Sequence, residues 1–142
     1  MIHFIIATHG PLATAFLQSS RMVYGERENV YAVTLNEGDG IEGFKQDFAA
    51  VLERASQGAD GVLVLCDMQS GTPWNVASHS AFAPDAPIPI AVIGGVNFPM
   101  LLQTDDVASF SDVNAAAAHL LALTEPTLVQ AVPVTTAQSD DF

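Results

Sequence analysis

Short apolar runs alternate four times with stretches whose apolar residues recur at helical spacing, and few folds accommodate that alternation. Ile2-His3-Phe4-Ile5-Ile6-Ala7-Thr8 reads as a buried strand that ends at His9-Gly10-Pro11. Leu12, Ala13, Phe16, Leu17, Met22 and Val23 then mark a helix stopped by Gly25. Val30 to Leu35 is a second strand, and Ile41, Phe44, Phe48, Val51, Leu52 and Ala55 mark a second helix. Val62 to Cys66 is the third strand, closed by Asp67. A third helix is expected from Pro73 to about Phe82, with Thr72 as its N-cap and Pro73 at the first helical position, where a missing N–H costs nothing. Ile90 to Ile93 is the fourth strand, Pro99-Met100-Leu101-Leu102 opens a short helix, and Val113 to Leu123 is an alanine-rich one. Leu128 to Val134 is expected as a last strand and 135–142 as a loose acidic tail.

The strands are apolar on both faces, which is the pattern of a parallel sheet covered by helices on each side. Right-handed crossovers leave few arrangements, and the expected fold is α/β and doubly wound, with a flavodoxin-like strand order of 2-1-3-4. Residues 1–134 read as one domain, with no internal repeat.

Charge narrows the function. The formal net charge is −12, and no Lys or Arg follows Arg54. Nucleic acid and anionic membrane surfaces require a basic patch that Arg21, Arg27, Lys45 and Arg54 do not supply. The single Cys66 lies inside an apolar strand and reads as a buried small hydrophobe. No apolar run is long enough for a membrane span and Met1-Ile2-His3 lacks a basic signal-peptide start, so a cytoplasmic location without membrane insertion is expected.

In a sheet of order 2-1-3-4 the order reverses between strands 1 and 3, and ligands bind outside the carboxyl ends of the strands at that point. His9 follows strand 1 and Asp67 follows strand 3, so an imidazole and a carboxylate face each other there. A carboxylate that accepts from one ring N–H fixes the tautomer and leaves the other nitrogen as a nucleophile. The Ser70-Gly71-Thr72-Pro73 turn opens a helix in the same crevice, and a helix N-terminus favours an anion such as a phosphoryl group. With no nearby cation in the sequence, backbone N–H groups and the Ser70 and Thr72 hydroxyls must hold it. Thr8, Gly10 and Asn97 are candidate walls of the crevice. Each motif also has a plain structural reading as a turn or helix start, and their convergence favours function. His3, His79 and His119 read as structural.

Other chemistries lack their residues. There is no Gly-x-x-x-x-Gly-Lys-Ser/Thr loop for a nucleoside triphosphate and no Gly-x-Ser-x-Gly elbow for a hydrolase. A histidine phosphatase calls for a basic residue beside its histidine, where this chain has Thr8. A receiver domain shares the aspartate after strand 3 but requires an acidic pair after strand 1 and a late lysine, both absent.

Ala7-Thr8-His9-Gly10, Gly25-Glu26-Arg27-Glu28-Asn29-Val30, Asp67 with Ser70-Gly71-Thr72-Pro73-Trp74-Asn75, and Gly95-Val96-Asn97-Phe98-Pro99-Met100-Leu101 occur in that order. Together they resemble the enzyme IIA domain of the mannose-family sugar phosphotransferase system (PTS), over residues 2 to about 125. The resemblance implies a phosphocarrier with no cofactor and no metal. His9 would take a phosphoryl group from the phosphohistidine of the carrier protein HPr and pass it to a histidine of a IIB component. Asp67 would hydrogen-bond the imidazole, and Ser70, Gly71 and Thr72 would surround the phosphoryl group. A homodimer is implied as well, with Leu128 to Val134 matching a C-terminal strand exchanged between subunits. The family often carries a glycine where this chain has Ser70, which reduces backbone freedom at that point. Two other readings stand beside this one: a regulatory module whose His9 phosphorylation is read by another protein, and the phosphotransfer subunit of a dihydroxyacetone kinase. Thr8-His9-Gly10 argues against the second, whose members tend to carry Ser-His-Ser.

Overall fold

The computed structural model describes residues 1–134. The sheet has four strands, β1 (Ile2–His9), β2 (Val30–Leu35), β3 (Gly61–Cys66) and β4 (Ile90–Gly94), all parallel and in the order β2-β1-β3-β4. Five α-helices connect and cover them: α1 (Leu12–Tyr24), α2 (Gly40–Ser56), α3 (Thr72–Ala81), α4 (Phe98–Val107) and α5 (Val113–Thr124). This is the doubly wound, flavodoxin-like order that the alternation predicts.

Successive side chains of a strand point to opposite faces, so each apolar run feeds two cores. Ile2, Phe4 and Ile6 of β1 join Leu63, Leu65 and Ile93 under helices α1, α4 and α5. Ile5 and Ala7 join Val33, Val62, Val64 and Cys66 under α2 and α3, where Phe44 and Phe48 are buried. Each such fully buried large side chain stabilises the fold by roughly 1.5–3 kcal/mol. β3 is buried at every position because it lies between two strands and two helical layers. β2 is an edge strand, and only Val30 and Val33 are buried along it.

The last complete rung of the sheet runs Val33, Ala7, Cys66, Gly94. The next residues of β1 and β3, Thr8-His9 and Asp67, therefore emerge together at the carboxyl edge. That edge is where four connections leave the sheet: β1–α1, β2–α2, β3–α3 and β4–α4.

Two expectations are corrected. Leu128 to Val134 forms no strand within this chain; a short 3-10 turn over Glu125–Thr127 ends α5, and Leu128, Val129, Val132 and Val134 are exposed. No strand lies beside them among the described residues, so these apolar β-prone residues have no ladder to join. Gly71, not Thr72, is the N-cap of α3, with backbone angles of φ 95 and ψ 168, so Thr72 is already helical and its hydroxyl makes no cap hydrogen bond. The expected tail, 135–142, lies outside the described residues.

Candidate functional site

His9 and Asp67 meet across the gap between β1 and β3. The carboxylate Oδ2 accepts from the His9 backbone N–H at 3.1 Å and from ring Nδ1 at 2.9 Å. An aspartate that only shaped a turn would bond to backbone N–H groups just downstream. Here both hydrogen bonds go to a residue 58 positions earlier, and Oδ1 is buried without a partner among the described residues. The carboxylate side chain is 15% exposed and the imidazole 42%, so Asp67 is sheltered while His9 remains reachable.

A carboxylate only accepts, so Nδ1 carries the proton in the neutral ring and Nε2 holds the lone pair. That free edge lies over the start of α3. A Cβ placed on Gly71 would stand 3.1 Å from His9 Cε1 and 3.3 Å from Nε2. The helix ladder begins with Asn75 N–H donating to Gly71 O at 2.9 Å. Gly71, Thr72 and Trp74 therefore have no intrahelical acceptor for their N–H groups, and Pro73 has none to offer. Three free donors and the positive end of a helix dipole stand beside a nucleophilic nitrogen, an arrangement suited to an anion bonded to Nε2.

Ser70 completes this turn in a conformation unusual for its type: at φ 68 it is the non-glycine residue with positive φ among the described residues. The left-handed region costs an L-residue about 1–2 kcal/mol. Sequence reading anticipated reduced freedom here but not that the chain accepts the strain.

Of the three candidate wall residues, Gly10 lines a hollow together with His9 and Leu35, and each of the three also makes a structural hydrogen bond. Thr8 is fully buried, and its Oγ1 accepts from Ala13 N–H at 2.8 Å, which satisfies a free donor at the start of α1. It holds the β1–α1 turn and does not face the crevice. Gly10, at φ 56, donates its N–H to Leu35 O at 2.8 Å, tying the turn after His9 to β2. Asn97 is the N-cap of α4, its side chain accepting from Met100 N–H at 2.9 Å.

No cation faces His9 across this turn. Arg21 pairs with Glu26, Arg27 reaches Thr104 and Asp105, Arg54 lies over the Tyr31 ring, and Lys45 contacts Glu42. Lys45 does line the groove between α2 and α3 together with Thr72. His3 Nδ1–H donates to Ala55 O at the other end of β1, and His79 and His119 lie on α3 and α5. Among the described residues no group of three or more His, Cys, Asp or Glu is placed to hold a metal ion, and no helix is long and apolar enough to cross a membrane. Cys66 is buried directly before Asp67, and burial together with the Asp67 charge pushes its thiol up to about 12. It is a packing residue.

One contributor escaped sequence reading. Gly94, the last residue of β4, has no room for a side chain: a Cβ there would meet Gln69 N at 3.0 Å and Trp74 Cζ3 at 3.1 Å. The Gly94-Gly95 pair reads as a strand stop in sequence, and nothing local announces an indole arriving from α3.

The family model EIIA-man, described as PTS system fructose IIA component, matches residues 3–121. The PTS system fructose-specific EIIA component of Bacillus subtilis (strain 168) is 37% identical over 103 residues, 72% of this chain and 68% of that protein. The PTS system mannose-specific EIIAB component of Escherichia coli (strain K12) is 35% identical over 120 residues, 82% of this chain. This chain spans only 36% of that relative's length. Among solved structures, the mannose/sorbose specific IIA subunit from Enterococcus faecalis superposes with a TM-score of 0.79 at 28% identity, covering 94% of this chain and 98% of that one.

Proposed function

The chain belongs to the EIIA-man family of PTS IIA components, and on that premise we propose that it is a phosphocarrier in which His9 Nε2 is the atom that carries the phosphoryl group. The observation that carries this reading is the Asp67 Oδ2 contact with Nδ1, which directs the Nε2 lone pair toward Gly71 and the free N–H groups of α3.

The donor is phospho-HPr and the acceptor is a IIB component, as family membership implies. Nε2 attacks phosphorus, and the Nε2–P bond forms as the donor's N–P bond breaks. The departing imidazole keeps the electron pair of the broken bond. His9 retains its Nδ1 proton throughout, so positive charge develops on the ring and Asp67 lies against it. The phosphoryl oxygens meet the N–H groups of Gly71, Thr72 and Trp74 and the hydroxyls of Ser70 and Thr72. Little covalent work is left to the protein, and positioning with electrostatics supplies the catalysis.

The working unit is a homodimer in this reading. β4 is an edge strand, and the exposed Leu128 to Val134 pairs with no strand among the described residues. Antiparallel addition of that segment to a partner's β4 would give both their missing hydrogen bonds.

The test is transfer from phosphorylated HPr, followed by intact mass before and after acid. An acid-labile gain of one phosphoryl group that is absent in His9→Ala is the expected result. No gain by folded wild-type protein would reject the carrier reading.

A further inference from the structure

We infer that Gly94 and Trp74 are a size-matched pair that sets the height of the β3–α3 turn beneath His9, which makes Gly94 a positioning residue for phosphoryl transfer. The inference rests on the function proposed above and concerns residues outside the cradle itself.

Gly94 is not needed for its backbone freedom, since its φ lies outside the positive region. It is needed for space. A Cβ at this position would lie 3.0 Å from Gln69 N, 3.3 Å from Gln69 Cα and 3.1 Å from Trp74 Cζ3. Gln69 stands immediately before Ser70, and Trp74 stands three residues after Gly71. The end of β4 therefore presses on the turn from both sides of the Ser70-Gly71 step.

That step is where tolerance is smallest. The Gly71 Cα already supports the imidazole edge so closely that a methyl group would reach 3.1 Å from Cε1. Close-packed interiors do not absorb such a push locally, so a displacement of a few tenths of an ångström at Gln69 passes to Gly71 and the ring above it. Backbone atoms of Gln69 have no alternative rotamer. Trp74 is packed against the core on the α2 and α3 face, which holds the indole in place. Phenylalanine at that position lacks the outer ring that carries Cζ3 and would remove the 3.1 Å conflict, leaving the conflict with the Gln69 backbone in place.

Gly61 supplies an internal control. A Cβ there would meet Val113 Cβ at 2.7 Å and Pro89 O at 3.2 Å, a packing conflict at least as severe. Gly61 begins β3, at the end of the sheet opposite His9.

The experiment compares Gly94→Ala, Gly61→Ala and the double variant Gly94→Ala with Trp74→Phe. Single-turnover phosphorylation is measured with phosphoramidate, a small donor that needs no protein docking, alongside the ¹⁵N signals of the His9 ring. Gly94→Ala is expected to slow transfer at least tenfold and to shift the His9 signals. Gly61→Ala should lower the melting temperature while leaving rate and ring signals within twofold and unshifted, respectively. The double variant should recover the rate in part, to at least threefold above Gly94→Ala, because the Gln69 backbone conflict remains. A wild-type rate in Gly94→Ala, or equal slowing by Gly61→Ala, would overturn the inference. A double variant that does not recover, or does not fold, would overturn the pairing with Trp74. If wild type itself takes no phosphoryl group, the proposed function fails, and the ring signals still decide whether Gly94 positions His9.

Discussion

The His9 ring rests on Gly71: a methyl group added to that glycine would lie 3.1 Å from Cε1 and 3.3 Å from Nε2. The Nε2 edge and the mouth of a helix approach this closely because one residue has no side chain. Gly71 also has φ 95 and ψ 168, a region that essentially only glycine enters.

Gly71→Ala therefore meets two penalties. The backbone conflict is expected to lower stability by about 1–3 kcal/mol. In the proposed phosphocarrier the methyl group also fills the space assigned to a phosphoryl oxygen, so uptake should fall at least a hundredfold in protein that still folds. Thermal melting and the mass-based transfer assay separate the two effects, and rapid uptake by a folded Gly71→Ala protein would contradict the placement of the phosphoryl group.

Asp67→Asn keeps the shape and removes the charge. The amide still accepts from Nδ1 through its oxygen but offers no countercharge to the ring during attack. Transfer should slow by about 10²-fold, the order associated with one preorganised electrostatic contact. Full-speed transfer would show that Asp67 matters for packing alone.

Ser70 presents a trade between stability and activity. Ser70→Gly relieves the left-handed strain at φ 68, and part of the gain is offset by the greater freedom of unfolded glycine. A net stabilisation of about 0.5–1 kcal/mol is expected, read as a higher denaturation midpoint. The rate should fall because the hydroxyl is lost. Ser70→Ala retains the strain without the hydroxyl and should be slow with no gain in stability. An unchanged rate in both variants would remove the hydroxyl from the cradle.

Cys66 makes stability depend on pH in the alkaline range. Its thiol is pushed from an ordinary 9.0 to about 12 by burial and by Asp67. Between those values the unfolded chain has released the proton and the folded one has kept it, so the folded state binds more protons. Stability from this group is full below pH 9 and falls by about 1.4 kcal/mol per pH unit above it. The slope of unfolding free energy against pH between 9 and 12 should be shallower in Cys66→Ala by one proton. Equal slopes would mean that the thiol ionises as readily in the folded protein.

The order of elements was legible because it depends on local periodicity. Apolar runs such as Val62 to Cys66 fit only a buried strand, and the spacing of Phe44, Phe48, Val51 and Leu52 fits only a helix face. Strand ends were legible too, since Gly10-Pro11 and Gly94-Gly95 mark turns, although Gly94 still belongs to β4. His9 and Asp67 could thus be placed at one edge of the sheet before any distance was known. Thr8 was misjudged as a wall because side-chain direction at a strand end depends on the following turn, where Ala13 N–H takes its hydroxyl. Leu128 to Val134 forms no strand among the described residues, because β-prone residues form a strand only when an edge is offered to them.

By itself the sequence determined the four strands, their parallel order and which two side chains stand nearest the reversal of that order, since period and turn chemistry act over a few residues. Only the tertiary structure decided that Oδ2 takes both His9 donors, that Ser70 adopts the left-handed region, and that Gly94 leaves room for Trp74. Those outcomes join segments up to tens of residues apart at separations near 3 Å. Contacts that short are set by sheet register, twist and packing together, and no local pattern of residue types carries them.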